Sequence, residues 1–403
     1  MMTKKLIVCA TPSGEKLGEK VCSELTKIAR REFERYKDAD ANSIERQVST
    51  IISHLFQYNS KVFKRDDFSL WPVEANYFKS GEMKPVIKES VRGAEVFLIH
   101  CSYVPRTPLE TKVKMLEAAA TSEERMALLK AFENEKTVLE NDHIAEFYID
   151  ALKVDGGADR VCLISPFYGN ARQDHRRTRE GLTARTQITL FEAVGADSFF
   201  FVDLHSQSIV GFTRKHADNV YPTSELVDEF KRQFPEYMNN FVMIPPDAGA
   251  FKRSEHISKK YTHLRLSPAL KVRDYSTSNK VDMIIVTEPS LVAGKNVVIF
   301  EDIVDTAGTV TKLITELCEK YHCRGVVVVA PHLLLSDKGL ENIDLVYDKG
   351  YLLKLITTDS VPRPPGFENE HKWYSQISMA PKLASIIYNM YMKQGIGDVH
   401  MQD

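Results

Sequence analysis

Residues 297–309, VVIFEDIVDTAGT, gather three carboxylates, two threonines and a glycine within thirteen positions. An apolar, strand-like stretch runs into Glu301, Asp302 and Asp305, then into Thr306, Ala307, Gly308 and Thr309. A helical pattern carried by Val310, Leu313, Ile314 and Leu317 follows. Free backbone N–H groups and the macrodipole at the start of such a helix favour an anion, and small residues let it approach the backbone. The carboxylates repel phosphate but suit hydroxyl groups and Mg2+. One loop thus offers an anion cradle beside carboxylates, which matches a sugar phosphate with its phosphate at one end and a diol at the other.

A second, basic run could meet phosphate oxygens, and further segments stand out. In residues 166–185, PFYGNARQDHRRTREGLTAR, Arg172, Arg176, Arg177 and Arg179 stand against Asp174 and Glu180. Arginines make forked, charge-assisted bonds to phosphate oxygens, although a basic run alone is equally a solvated face. His205 follows an apolar run and Asp203 in FFFVDLHSQSIVGF, residues 199–212, where a single histidine has many structural roles. Asp247 sits in Pro246-Asp247-Ala248-Gly249-Ala250, ahead of Lys252 and Arg253. Lys271-Val272-Arg273 means little by itself, but a polar, turn-prone stretch at 276–279 follows it, as in a mobile lid. Phe78, Ser80 and Glu82 open the segment YFKSGEMKPVIKESVRGAEVFLIH at 77–100, where the ring is either a ligand platform or ordinary packing in a strand hairpin. No Walker-type loop is present, since Gly14 is followed five residues later by Glu19.

The elements that must position these residues are short apolar runs at 6–8, 96–99, 161–164, 199–202, 283–286, 297–300 and 326–329. Being apolar on both faces, they read as buried strands of parallel sheets. Helical patterns alternate with them; Leu17, Val21, Leu25 and Ile28 share one face. That alternation predicts an α/β architecture. Several runs end in polar residues (His100, Ser165, Asp203, Glu301, His332), at the strand ends where open α/β sheets bind ligands. Residues 30–69 and 107–140 read as added structural or interaction segments, and 360–367 as a Pro-rich loop.

At 403 residues the chain is long enough for two or three domains. A net charge of −2 gives no reason to expect nucleic-acid or membrane partners. The six cysteines form no CxxC pair, which fits a reducing compartment and no zinc site, and Cys162 in its apolar run reads as a buried free thiol. The short apolar run after Lys4 and Lys5 lacks the features of a signal peptide, and no stretch approaches the ~18 apolar residues of a membrane span. A cytoplasmic protein is the expectation.

The loop at 297–309 resembles the phosphoribosyl pyrophosphate loop of type I phosphoribosyltransferases and of ribose-phosphate pyrophosphokinases. The run at 166–185 resembles the latter family's YxxARQDRxxxxREPxxAK signature, with Gly181 in place of proline, which type I phosphoribosyltransferases lack. Residues 199–212 resemble its DLHxxQIQGFF segment, residues 246–250 its SPDxGG element with Ala250 for a glycine, and residues 77–100 its RFSDGEExxxIxxSVRGxDVxxxQ segment with Ser80 for an aspartate. Glu301 likewise replaces an aspartate. The motifs occur in the family's order along nearly the whole chain.

The resemblance implies two tandem type I phosphoribosyltransferase-like α/β domains with parallel sheets flanked by helices, plus two insertions. The first would span 1–222 with the insertions near 30–69 and 107–140, and the second 223–380 with the ribose-phosphate loop; a terminal helix at 381–397 would return to the first. It implies transfer of the pyrophosphoryl group of Mg-ATP to the C1 hydroxyl of ribose 5-phosphate, giving phosphoribosyl pyrophosphate and AMP. Phe78, Glu82, Arg172, Gln173, Asp174 and His205 would bind ATP, and His205 and Asp247 would hold Mg2+. Lys271 and Arg273 would be catalytic; Arg273, Glu301, Asp302, Asp305, Thr306, Ala307, Gly308 and Thr309 would bind ribose 5-phosphate. Family members assemble as homo-oligomers from dimers to hexamers. A non-catalytic regulatory homologue and a type I phosphoribosyltransferase are the competing readings; the retained Lys271 and Arg273 argue against the first, and the 166–185 and 199–212 runs against the second.

Overall fold

The computed structural model describes residues 5–39, 44–63, 67–107, 109–133, 135–247, 249–274 and 281–396. The chain divides into two compact units, one built from residues 5–104, 136–220 and 378–396 and the other from 105–135 and 221–377.

The first unit is a five-stranded parallel sheet. Its strands are β1 (Leu6–Ala10), β4 (Glu95–Ile99), β5 (Arg160–Ser165), β6 (Ser198–Val202) and β7 (His216–Val220), in that spatial order. Between β1 and β4 in sequence, β2 (Val73–Tyr77) and β3 (Met83–Ile87) form a separate antiparallel hairpin. The strands β1, β4, β5 and β6 are largely apolar because successive side chains enter different cores. Ile7, Val96, Leu98, Leu163, Phe199 and Phe201 pack with Ile149, Ile188 and Phe191 of the helices Val138–Asp150 and Thr183–Ala193. The intervening Leu6, Val8, Phe97, Ile99, Ile164 and Phe200 pack on the opposite face. There they meet Val21 and Leu25 of helix Glu15–Tyr36 and Leu383 and Ile387 of helix Ala380–Tyr391. Cys162 is buried in this second core as a free thiol.

The second unit repeats the scheme. The order β16-β15-β13-β11-β8 is parallel throughout, with β8 at Phe241–Met243, β11 at Asn296–Phe300, β13 at Gly325–Val329, β15 at Leu352–Thr358 and β16 at Tyr374–Ile377. Val297, Ile299, Val326 and Val328 join Val310, Leu313, Ile314 and Leu317 of helix Gly308–Glu319 in one core. Val298, Phe300, Val327 and Val329 join Leu226 and Phe230 of helix Thr223–Gln233 in the other.

One expectation is corrected. The run at 283–286 is not a strand of the parallel sheet. It lies in β10 (Val281–Val286), which pairs antiparallel with β9 (Ala269–Asp274) in a two-stranded ribbon. The physical reason is visible in its exposure: Ile284 and Val286 are buried while Ile285 between them is exposed. That alternation belongs to a half-buried ribbon, and an apolar run of four residues cannot reveal it.

Within 30–69, helix Glu15–Tyr36 continues through Arg30 and helix Ile44–Phe63 follows. Residues 107–140 comprise helices Leu109–Ala118 and Ser122–Glu133 and the first turn of Val138–Asp150, whose Thr137 and Glu140 close a capping box. No helix among the described residues is long and apolar enough to cross a membrane.

A buried polar network ties the strand ends of the first unit together. His100, after β4, places Nδ1 3.0 Å from Thr11 Oγ1 and Nε2 3.1 Å from Asp142 Oδ1, and Asn170 Nδ2 donates to Asp142 Oδ2 at 3.0 Å. Both His100 and Asp142 are sealed from solvent. Replacing His100 by alanine is expected to destabilise this unit by about 3 kcal/mol, because Asp142 stays buried with one partner removed. Denaturant unfolding would check it; an unchanged midpoint would mean that Asp142 is satisfied otherwise.

Candidate active site

In the second unit, β11 lies between β13 and the edge strand β8 and delivers Glu301 and Asp302 at its carboxyl end. Glu301 N donates to Val329 O at 3.0 Å, and Asp302 Oδ1 accepts from Ile303 N at 2.8 Å. A two-residue strand β12 (Ile303–Val304) pairs with β14 (His332–Leu333), which fixes the path past the carboxylates. The chain then turns at Ala307, whose left-handed backbone (φ 58°) is uncommon for a residue with a Cβ. Its methyl group is buried in the core, so the turn is held from below. Ala307 is the N-cap of helix Gly308–Glu319 and brings no capping side chain, while Thr306, Gly308 and Thr309 are exposed. A Cβ added at Gly308 would meet only Thr306 Oγ1, at 4.0 Å. The loop thus presents an uncapped helix start, open space and two hydroxyls beside carboxylates.

Three residues that sequence reading did not single out brace this loop. Ser336 Oγ donates a short hydrogen bond to Asp305 Oδ1, Asn342 Nδ2 donates to Thr306 O at 2.9 Å, and Gly339 packs where an added Cβ would lie 2.5 Å from Asp305 O. The only sequence signal is a helix start, since Gly339 opens helix Gly339–Asp348; the contacts themselves span about thirty residues. Elsewhere in this unit, Asp247 is exposed and its Oδ1 accepts from Ala250 N at 2.8 Å, so Ala250 closes a local turn where a glycine was expected. Lys271 and Arg273 lie on β9, opposite Ile284 and Asp282 of β10. The 276–279 stretch and Ala248 lie outside the described residues.

In the first unit, the segment after β5 is anchored by Tyr168, whose hydroxyl donates to Ala184 O at 2.6 Å, and by Gly169, where a Cβ would come 2.5 Å from Val138 Cγ1. Beyond that anchor Arg172, Gln173, Arg176, Arg177 and Arg179 are exposed. Asp174 is held at the edge of this run. Burial pushes its carboxyl up, but hydrogen bonds from His175 (2.6 Å) and from Ser206 outweigh that and leave it below the usual carboxylate range. The Ser206 contact also brings this segment against the one that carries His205. That second segment starts at Asp203, buried with φ 43°, and is clamped where Leu204 N donates to Asn219 Oδ1 at 2.9 Å; His205 itself is exposed.

Phe78 and Glu82 sit at the tip of the β2–β3 hairpin. Gly81 supplies a positive φ of 91°, and Phe78 N donates to Glu82 O at 2.9 Å. Phe78 is 55% exposed, which removes the core-packing reading, and Lys84 Nζ lies 5.9 Å from its ring centre. Ser80 donates to Glu82 Oε2 at 2.7 Å and so orients the remaining carboxylate.

Residues 6–195 match the family described as the N-terminal domain of ribose phosphate pyrophosphokinase, and residues 216–345 match the phosphoribosyl transferase domain. A ribose-phosphate pyrophosphokinase of Corynebacterium efficiens is 30% identical over 79% of this chain and 85% of its own length. The chain belongs to the ribose-phosphate pyrophosphokinase family. Its relative from Campylobacter jejuni is 28% identical over 80% of this chain and 88% of its own. The phosphoribosylpyrophosphate synthetase structure from Mycobacterium smegmatis covers 97% of this chain and 100% of its own, with a TM-score of 0.66 and 22% identity, a likeness of fold.

Proposed function

We propose that the chain is a catalytically active ribose-phosphate diphosphokinase: the C1 hydroxyl of ribose 5-phosphate attacks the β-phosphorus of ATP, and AMP leaves. The observation that carries this reading is the loop at 301–309, where an uncapped helix start and carboxylates adjoin in a chain of this family. Asp305, Thr306, Ala307, Gly308 and Thr309 hold the 5-phosphate, largely through backbone N–H groups, and Glu301 and Asp302 orient the ribose hydroxyls. Phe78 stacks on the adenine and Glu82 accepts from it. Arg172 and Gln173 donate to the polyphosphate, and Asp174, kept ionised, holds its segment in place. Lys271 and Arg273 donate to the charge that develops on the leaving phosphate, and Arg273 also to the sugar phosphate.

Mg2+ fits this donor set as a substrate-borne ion. Among the described residues no cluster of three His, Cys, Asp or Glu side chains would hold a metal, and His205 and Asp247 are each exposed. Mg2+ commonly keeps several waters and takes one or two protein ligands together with phosphate oxygens. His205 and Asp247 would each offer a ligand to the Mg2+ that ATP carries, and the ion would supply neutralisation of the polyphosphate charge.

Formation of AMP from ATP and ribose 5-phosphate by the purified chain tests the proposal. Absence of AMP under conditions where a bacterial relative turns over would make the chain a regulatory homologue. Phe78→Ala is expected to raise the KM for ATP by about tenfold through lost stacking, with little change in the KM for ribose 5-phosphate and none in fold stability, since the ring is already exposed. Parallel changes in both KM values would assign the ring a structural task.

A further inference from the structure

The second unit carries a dithiol that the proposed reaction does not use. Cys318 lies in the last turn of helix Gly308–Glu319 and Cys323 in the segment leading to β13, with their sulfurs 3.3 Å apart. Cys318 is half-buried, hence reachable, and Cys323 is buried behind it. The intervening turn is fixed: His322 adopts a left-handed φ of 55°, Cys323 N donates to Leu317 O at 3.0 Å, and Gly294 N donates to His322 O at 2.9 Å. The two sulfurs therefore face each other because the backbone holds them so.

We propose that Cys318 and Cys323 are a reversible oxidation site, at which a hydroperoxide converts the two thiols into an intramolecular disulfide. The Cys318 thiolate attacks the peroxide oxygen, an S–O bond forms, the O–O bond breaks, and the alcohol or water leaves with a proton. Cys323 sulfur then attacks Cys318 sulfur; the S–S bond forms, the S–O bond breaks, and hydroxide leaves as water with the Cys323 proton. Two thiols and one hydroperoxide give one disulfide, one alcohol (or water) and one water. The sulfurs have to approach from 3.3 Å to about 2.05 Å, a shift within reach of side-chain rotation.

The chemistry of the pair supports this order of attack. A helix C-terminus disfavours a thiolate. The sulfur–sulfur hydrogen bond with Cys323 nevertheless pulls the Cys318 thiol below its ordinary value. Cys318, half-buried, is the sulfur that a peroxide reaches first, and Cys323, buried and 3.3 Å from it, is the resolving thiol. The other four cysteines are buried, and burial pushes the thiol of Cys162 up to about 12.

Trypsin reads the outcome directly, because Lys320 and Arg324 place the two cysteines on separate peptides, 313–320 and 321–324. Hydrogen peroxide at one equivalent is expected to lower the thiol count of the intact protein from six to four, to join those two peptides as one species about 2 Da lighter than their sum, and to be reversed by dithiothreitol. Cys318→Ser and, separately, Cys323→Ser are expected to abolish the linked species. Six surviving thiols, loss of thiols undiminished in Cys318→Ser, or a cross-link between two chains would each overturn the proposal.

Discussion

Lys271→Ala is expected to lower kcat by about 10²–10³-fold while the KM for ribose 5-phosphate stays within about twofold. The reason lies in when the interaction is made. A cation that meets charge appearing on the departing phosphate is worth little in the ground state and about 3–4 kcal/mol in the transition state. Position 271 is held by the backbone pairing of β9 with β10, facing Ile284, so loss of the side chain leaves the ribbon's register intact. Steady-state kinetics with each substrate varied separates the possibilities. Unchanged turnover would remove Lys271 from the chemistry. A raised KM at constant kcat would make it a ground-state contact instead.

Gly339→Ala is expected to act on the sugar phosphate from behind the loop. The new methyl carbon would lie 2.5 Å from Asp305 O and 3.5 Å from Thr306 Cα, and both are backbone atoms that cannot rotate away. Relief requires the turn proposed to hold the phosphate to move, and a displacement of about 1 Å in a positioned site can cost 10²-fold in kcat/KM. The expected pattern is a rise of at least about tenfold in the KM for ribose 5-phosphate, an unaltered KM for ATP, and a stability loss of about 1–3 kcal/mol. Asn342→Ala, which deletes only the 2.9 Å bond to Thr306 O, should move the same constant by less. If Gly339→Ala binds the sugar phosphate normally, the bracing contacts are not what places the turn.

These two cases show where the sequence speaks and where it stops. The loop at 297–309 was readable because its signals are local: an apolar run, then acidic residues, then small residues before a helical pattern. The helix assignment rested on Val310, Leu313, Ile314 and Leu317, all of which are buried in the core. The run at 283–286 reads as a parallel strand because four apolar residues carry no record of their partner, which is an antiparallel strand outside the main sheet. The short outer strands at 216–220, 241–243 and 374–377 leave little signal for a related reason, being polar or brief. Ser336, Gly339 and Asn342 look like the start of an ordinary helix. Their link to Asp305 and Thr306 exists only once strand β14 has laid them beside β12.

The bare N-terminus at Ala307 has a thermodynamic side as well. A protein that leaves a helix start without a capping side chain forgoes about 1 kcal/mol of its own stability. Whatever anion settles there returns that deficit, so occupancy of the loop and persistence of the fold are linked quantities. At a hundredfold excess over its dissociation constant a ligand confined to the native state adds about 2.7 kcal/mol. The second unit should therefore melt later as ribose 5-phosphate is added, and the rise in midpoint measures occupancy without any turnover.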